Sequence, residues 1–254
     1  MQNEVTIVGF GKMGSAIAEF LSQKNWKISV FDPYFSGELP QNFTRLSQLA
    51  KIQTPAILLC VKPVEITKVL QEMPSAKTVI SIAAGVSTES MQQVYQGNIV
   101  RVMPNTPARI GFGISGIYFG KLVESEIRKF CLQLFSCIGE IVEVSKESDL
   151  HAVTALSGSG PAYIELMAAA LEDAGVQAGL QRDTSRRLAI ATIRGTAELM
   201  RQDTRSPQEM IHDVTSPGGT TIAAISALKK GGFESTVQNA VNEAIKRSIE
   251  ISNS

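Results

Sequence analysis

The hexapeptide Gly9-Phe10-Gly11-Lys12-Met13-Gly14 is a G-x-G-x-x-G set directly after an apolar strand pattern, EVTIVGF, and at the head of a helically spaced run, KMGSAIAEFLSQK. That placement suits a dinucleotide. Gly9 makes the tight turn, Gly11 lets backbone come close to a pyrophosphate, Gly14 lets the helix pack closely, and the helix N-terminus faces the phosphates. Lys12 and Met13 fall in the same loop. Asp32 ends the second strand pattern, KISVFD, where a carboxylate accepts from the adenosine ribose 2′-OH and repels a 2′-phosphate, favouring NADH over NADPH. Asp32 equally suits the start of the turn DPY, and Lys24, Lys27 and Arg45 are nearby cations that attract a phosphate.

A second segment with chemistry in its residue types is HDVTSPGGTTIAAISALKKGG, residues 212–232. One reading is a turn between helices, with Thr220 or Thr221 as N-cap of the second. The other is an anion pocket, in which glycines expose backbone N–H groups, threonine hydroxyls donate, and the following helix dipole favours negative charge. A hydride enzyme acting on an alcohol needs a Lys or His beside the hydroxyl. The segment ALSGSGPAYIELMAAA, residues 155–170, carries Glu165 and neither of those bases. His151 and His212 stand outside any recognisable triad motif, and Cys60 lies in apolar AILLCVKP as a buried thiol. Cys60, Cys131 and Cys137 have no zinc or disulfide spacing, so no metal site is expected.

These residues need elements to position them. In the first half, strand patterns (EVTIVGF, KISVFD, PAILLCVK, TVISIAAG, NIVRVMP, GISGIYFG) alternate with helical ones, which predicts an α/β domain of Rossmann type, a doubly wound and mostly parallel sheet. From about Asp149 the patterns are helical: PAYIELMAAALEDAGV, DTSRRLAIATIRGTAELMRQ and GFESTVQNAVNEAIKRSIEIS. The expected division is therefore a dinucleotide-binding domain over residues 1–148 and an all-α domain over 149–254. Ala, Gly and Leu on several helix faces suggest burial in a subunit interface. The 24 basic residues balance 24 acidic ones, which points away from nucleic acid and anionic membrane. With no targeting signal and no membrane-length apolar run, a cytoplasmic protein is expected.

GFGKMG (9–14), VKP (61–63), SIAAGV (81–86), RVMPNTP (101–107), SGSGPAY (157–163) and VTSPGGTTI (214–222) stand in the order and spacing of the pyrroline-5-carboxylate reductases. The chain resembles that family over essentially its whole length. The resemblance implies reduction of pyrroline-5-carboxylate to L-proline by NAD(P)H, the last step of proline biosynthesis. It accounts for the missing base, because an iminium substrate already carries its proton. It implies that the Thr221 hydroxyl meets the ring nitrogen, while Ser216 and the amides of Gly218, Gly219 and Thr220 hold the carboxylate.

The same resemblance sets Val61, Lys62, Pro63, Ala83 and Ala84 along the ribose and nicotinamide, and Asn105 and Thr106 near the nicotinamide and the substrate. Residues 157–160 come near that pocket as well. Lys62 also reads as a cap on the sheet edge, and Pro104 and Pro107 as stiffeners of a turn. Asp32-Pro33 departs from the small or hydroxyl residue that many members carry after the second strand. The family further implies an intertwined homodimer through the helical domain, often assembled into a ring, with the SPGGTT loop of one subunit reaching its partner's cofactor domain. Other readings are a related imine reductase or hydroxyacid dehydrogenase, which predicts a base on the GSGPAY helix, and a dinucleotide sensor without turnover.

Overall fold

The computed structural model describes residues 3–74, 77–120 and 123–252. Side-chain alternation assigns each strand residue to one face of the sheet. In β1 (Glu4–Val8), Val5 and Ile7 point into one core cluster and Val8 into the other. Next come α1 (Lys12–Gln23), β2 (Lys27–Phe31), β3 (Phe43–Arg45) and β4 (Ala56–Leu59). All four residues of β4 are buried, Ala56 and Leu58 on one face and Ile57 and Leu59 on the other, as a central strand covered on both sides requires. The domain continues through α2 (Ile66–Glu72), β5 (Thr78–Ser81), α3 (Thr88–Gln92), β6 (Asn98–Met103), β7 (Gly113–Phe119), α4 (Ser125–Ser136) and β8 (Gly139–Glu143).

The strand order is β3-β2-β1-β4-β5-β6-β7-β8. All neighbours are parallel except β6 and β7, which pair antiparallel with Val100 opposite Phe119. Ile17 and Leu21 of α1 share the first core with Phe130, Leu134 and Phe135 of α4, where Trp26 meets Phe130 edge-on at 5.2 Å. Ile66 and Leu70 of α2 and Met91 of α3 cover the opposite face. The expected doubly wound, mostly parallel sheet is therefore present. Two edge strands were not among the sequence candidates. β3 has three residues of which only Phe43 is buried, and β8 is mostly exposed, so neither leaves a clear apolar signature.

The chain divides into two compact units, residues Met1–Ser159 with Glu243–Ser254, and Gly160–Asn242. This differs from a boundary at Asp149, where the helical pattern begins. The reason is α5 (Asp149–Val153) and the widened π-type turn Thr154–Gly158 that follows it. Leu150 and Ala155 are buried, and Val153 lies so close to Gly116 of β7 that a Cβ there would come within 2.6 Å of it. The second unit holds α6 (Gly160–Gln177), α7 (Arg182–Gln202), α8 (Pro207–Asp213), α9 (Thr220–Lys230) and the start of α10 (Phe233–Ser252). Gly175 of α6 sits directly against Ser185 of α7. Within this unit no residue of α6 or α9 is buried, and Leu166, Leu188, Ile190 and Leu199 are all more than half exposed. Among the described residues no helix is long and apolar enough to cross a membrane.

Candidate active site

The three glycines after β1 divide their work by what surrounds them. Gly9 has φ +94°, a left-handed conformation, and a Cβ there would lie 2.8 Å from the Cys60 carbonyl at the end of β4. At Gly14 a Cβ would fall 2.2 Å from the Gly9 carbonyl oxygen, so only glycine lets α1 start this close to the turn. Gly11 is different. It is extended at φ −75°, it is the N-cap of α1 with no side-chain cap, and a Cβ built on it would meet nothing within 4 Å. An open cradle beside unpaired first-turn amides is what a pyrophosphate needs, so the loop fits a dinucleotide. Lys12 beside it is exposed, while Met13 turns its side chain into the first core.

Asp32 ends β2 and both its oxygens are engaged. Oδ2 accepts from the Phe10 N–H at 2.7 Å, and Oδ1 accepts from the N–H groups of Tyr34 and Phe35 at 2.8 and 3.1 Å. The carboxylate thus begins the DPY turn and at the same time anchors the glycine loop, with lone-pair capacity left for a ribose hydroxyl. Arg45 crosses the same turn, donating to the Phe35 and Gly37 carbonyls with its guanidinium 5.4 Å from the Phe35 ring centre. A cation and an anion therefore flank one turn.

The other residues expected on the cofactor side leave the same ends of β4, β5 and β6, where an open α/β sheet receives its ligands. Val61 packs against the second core, and the exposed Lys62 donates its N–H to Glu65 at 3.3 Å, capping the short turn that Pro63 opens. Ala83 is buried in the second core and can offer a ligand only its backbone, whereas Ala84 is half-buried. Asn105 is buried with its Oδ1 accepting from the Ile114 N–H at 2.9 Å, which fixes the turn into β7, and Thr106 is exposed. Burial pushes the Cys60 thiol, at the end of β4 beside Gly9, far up, which keeps it from acting as a nucleophile.

In the second unit, residues 216–219 form a turn closed by the Gly219 N–H on the Ser216 carbonyl at 3.0 Å. Proline at its second position and Gly218 at φ +72° at its third are the residues of a type II turn. One of the two readings is excluded here. Neither Thr220 nor Thr221 is the N-cap of α9, because Gly219 is, in extended conformation and with no side-chain hydrogen bond. The Gly219 amide is engaged by the Ser216 carbonyl, closing the turn. What remains is an exposed Ser216 hydroxyl, the Thr220 and Thr221 hydroxyls in the first helical turn, and the amides that such a turn leaves unpaired.

Sequence reasoning passed over four long-range contacts behind the loops expected on the cofactor side. Glu147 accepts from Arg101 of β6 at 2.9 Å and from Thr88 of α3, and Ile251 of α10 lies against Gly85. His151 shares a hydrogen bond with Ser248 at 2.9 Å. Its pKa is held below the ordinary value by burial first and by the Arg101 charge second, with Glu147 opposing. Their partners lie tens of residues away, so no local spacing announces them.

The chain is similar to known proteins over nearly its whole length. The family profile described as pyrroline-5-carboxylate reductase dimerisation matches residues 147–251, and the one described as NADP oxidoreductase, coenzyme F420-dependent, matches residues 4–85. The pyrroline-5-carboxylate reductase of Synechocystis sp. is 39% identical over 265 residues, covering 99% of each chain. The crystal structure of the Plasmodium falciparum pyrroline carboxylate reductase with NADP bound matches with a TM-score of 0.88 at 32% identity over 98% of both chains. The structure of a pyrroline-5-carboxylate reductase from Coxiella burnetii reaches 0.89 at 29% identity, again over 98% of both. With a relative this similar along nearly its whole length, and with its glycine loop and Ser-Pro-Gly-Gly-Thr-Thr turn built as described, the chain belongs to the pyrroline-5-carboxylate reductase family.

Proposed function

We infer that the chain reduces pyrroline-5-carboxylate to L-proline with a nicotinamide cofactor. The observation that carries this reading is the start of α9, where a tight turn leaves one serine and two threonine hydroxyls uncommitted to capping, next to unpaired helix amides. The Ser216 hydroxyl and the amides of Gly218 and Thr220 hold the substrate carboxylate, with the helix dipole adding to the attraction. Thr221 accepts from the iminium N–H and so fixes the ring while its electrophilic carbon is presented. The bound cofactor supplies a hydride. The C=N π pair then settles on nitrogen as an amine, which takes a proton from water, so no side-chain base is needed. The cofactor side is served by Gly9, Gly11, Gly14 and Lys12, by Val61, Lys62 and Pro63, by the backbone at Ala83 and Ala84, and by Asn105 and Thr106.

The donor is decided at Asp32. Its charge disfavours a 2′-phosphate and favours NADH, while Arg45 draws the other way. The working unit is a homodimer through the helical unit, able to associate further into a ring, and its compartment is the cytoplasm. The experiment follows NADH and NADPH oxidation in parallel with pyrroline-5-carboxylate. The reading expects oxidation with both and a higher kcat/KM for NADH. A higher value for NADPH removes the donor preference, and no oxidation with either, in protein that binds the cofactor, leaves a sensor.

A further inference from the structure

The loop of residues 82–87, between β5 and α3, is gripped at three points from behind. At its start, the Ile82 N–H donates to the Leu59 carbonyl at 3.2 Å and the Ala83 N–H to Ser81 Oγ at 3.3 Å. At its bend, Gly85 has φ +78°, and a Cβ there would lie 2.7 Å from the Ile251 side chain. At its end stands Thr88, whose N–H and Oγ1 both donate to the Glu147 carboxylate, at 2.7 and 2.6 Å. A carboxylate 59 residues along the chain thus holds a first-turn amide of α3. The same carboxylate accepts from Arg101, whose side chain is only 7% exposed, so the grip is backed by a charge that cannot relax into water. Arg101 stands two residues before the end of β6, at the root of the loop that carries Asn105 and Thr106.

We propose that Glu147 is a positioning residue for the cofactor: by fastening Thr88 to Arg101 it sets the 82–87 loop at the height at which its backbone meets the nicotinamide half of NAD(P)H. The proposal rests on the reading of Ala83 and Ala84 as cofactor-lining. Glu147 touches neither cofactor nor substrate. Its effect therefore falls on cofactor affinity and leaves the imine side alone.

The test is a fluorescence titration of the full-length protein with NADH and with NADPH, paired with steady-state kinetics, for wild type, Glu147→Gln, Thr88→Val and Thr88→Ser. Thr88→Val keeps the Arg101–Glu147 pair and serves where Glu147→Gln folds poorly. Expected is a rise of about ten-fold in cofactor Kd and KM for Glu147→Gln and Thr88→Val, the size of one charge-assisted hydrogen bond. The imine KM and the kcat at saturating cofactor stay within two-fold, and Thr88→Ser retains wild-type affinity. Unchanged cofactor affinity in Glu147→Gln and Thr88→Val overturns the proposal. So does a parallel loss of cofactor affinity, imine affinity and kcat together with a lower Tm, which would mark general loosening. A wild type that binds neither cofactor overturns the reading itself, and this inference with it.

Discussion

One methyl group separates the roles of two glycines in the first loop. An added Cβ at Gly14 lies 2.2 Å from the Gly9 carbonyl oxygen, so Gly14→Ala must push α1 off its turn, at a cost of about 1 to 3 kcal/mol in stability and with cofactor binding lost. Gly11 has φ −75° and open space, so Gly11→Ala leaves Tm within a few degrees of wild type while cofactor affinity drops ten-fold or more. Thermal denaturation and cofactor titration of both variants separate a packing glycine from a ligand glycine, and equal affinity in wild type and Gly11→Ala would count against a pyrophosphate there. At the substrate end, Thr221→Ala is expected to lower kcat by about a hundred-fold, the range of a lost orienting hydrogen bond in a transition state, with cofactor Kd unchanged. Thr221→Ser should retain most of the activity. A full-rate Thr221→Ala would remove that hydroxyl from the mechanism.

Among elements, α5 and the end of α10 are joined by the His151–Ser248 hydrogen bond. Burial and the Arg101 charge depress the His151 pKa below about 6.5, its ordinary value. Between the folded and the unfolded pKa the unfolded chain binds the proton and the folded chain does not, so stability rises with pH through that window. The contribution is complete above about pH 6.5 and is lost as the pH falls towards the folded value. His151→Gln, which keeps a hydrogen-bonding side chain, should flatten the fall of Tm between about pH 7 and pH 5. Superimposable pH profiles would show that His151 carries none of it. Much of the element plan was legible in the sequence: six strands from β-branched runs, α1 from its spacing and glycine loop, and α6, α7 and α10 from long helical patterns. The return of the end of α10 to the first unit was not, because Gly85 and Ile251 are neighbours only through tertiary packing. Nor was the committed amide of Gly219, which depends on turn geometry. The site residues proposed from the sequence are those that sit in a local motif. Arg101 and Glu147, which work through a distant partner, gave no such signal.

At the scale of the molecule, the helical unit leaves Leu166, Leu188, Ile190 and Leu199 more than half exposed, and no residue of α6 or α9 is buried. Such surface is characteristic of a subunit interface. A single chain has a mass of 27.4 kDa, and sedimentation should give about twice that, or a whole multiple of the dimer, at micromolar concentration. Because the interface stabilises only the folded chain, the apparent Tm should rise with protein concentration. A monomer mass with a concentration-independent Tm would contradict an obligate dimer.

The most direct measurement of the central claim follows one atom. Purified protein is incubated with pyrroline-5-carboxylate and NADH or NADPH carrying deuterium as the transferred hydride, and the proline formed is examined by mass spectrometry and NMR. One deuterium per proline is predicted, on the ring CH₂ carbon bonded to nitrogen, with one cofactor oxidised for each proline made. Cofactor oxidised without labelled proline, or proline labelled at any other carbon, would contradict hydride transfer to the cyclic imine by this chain.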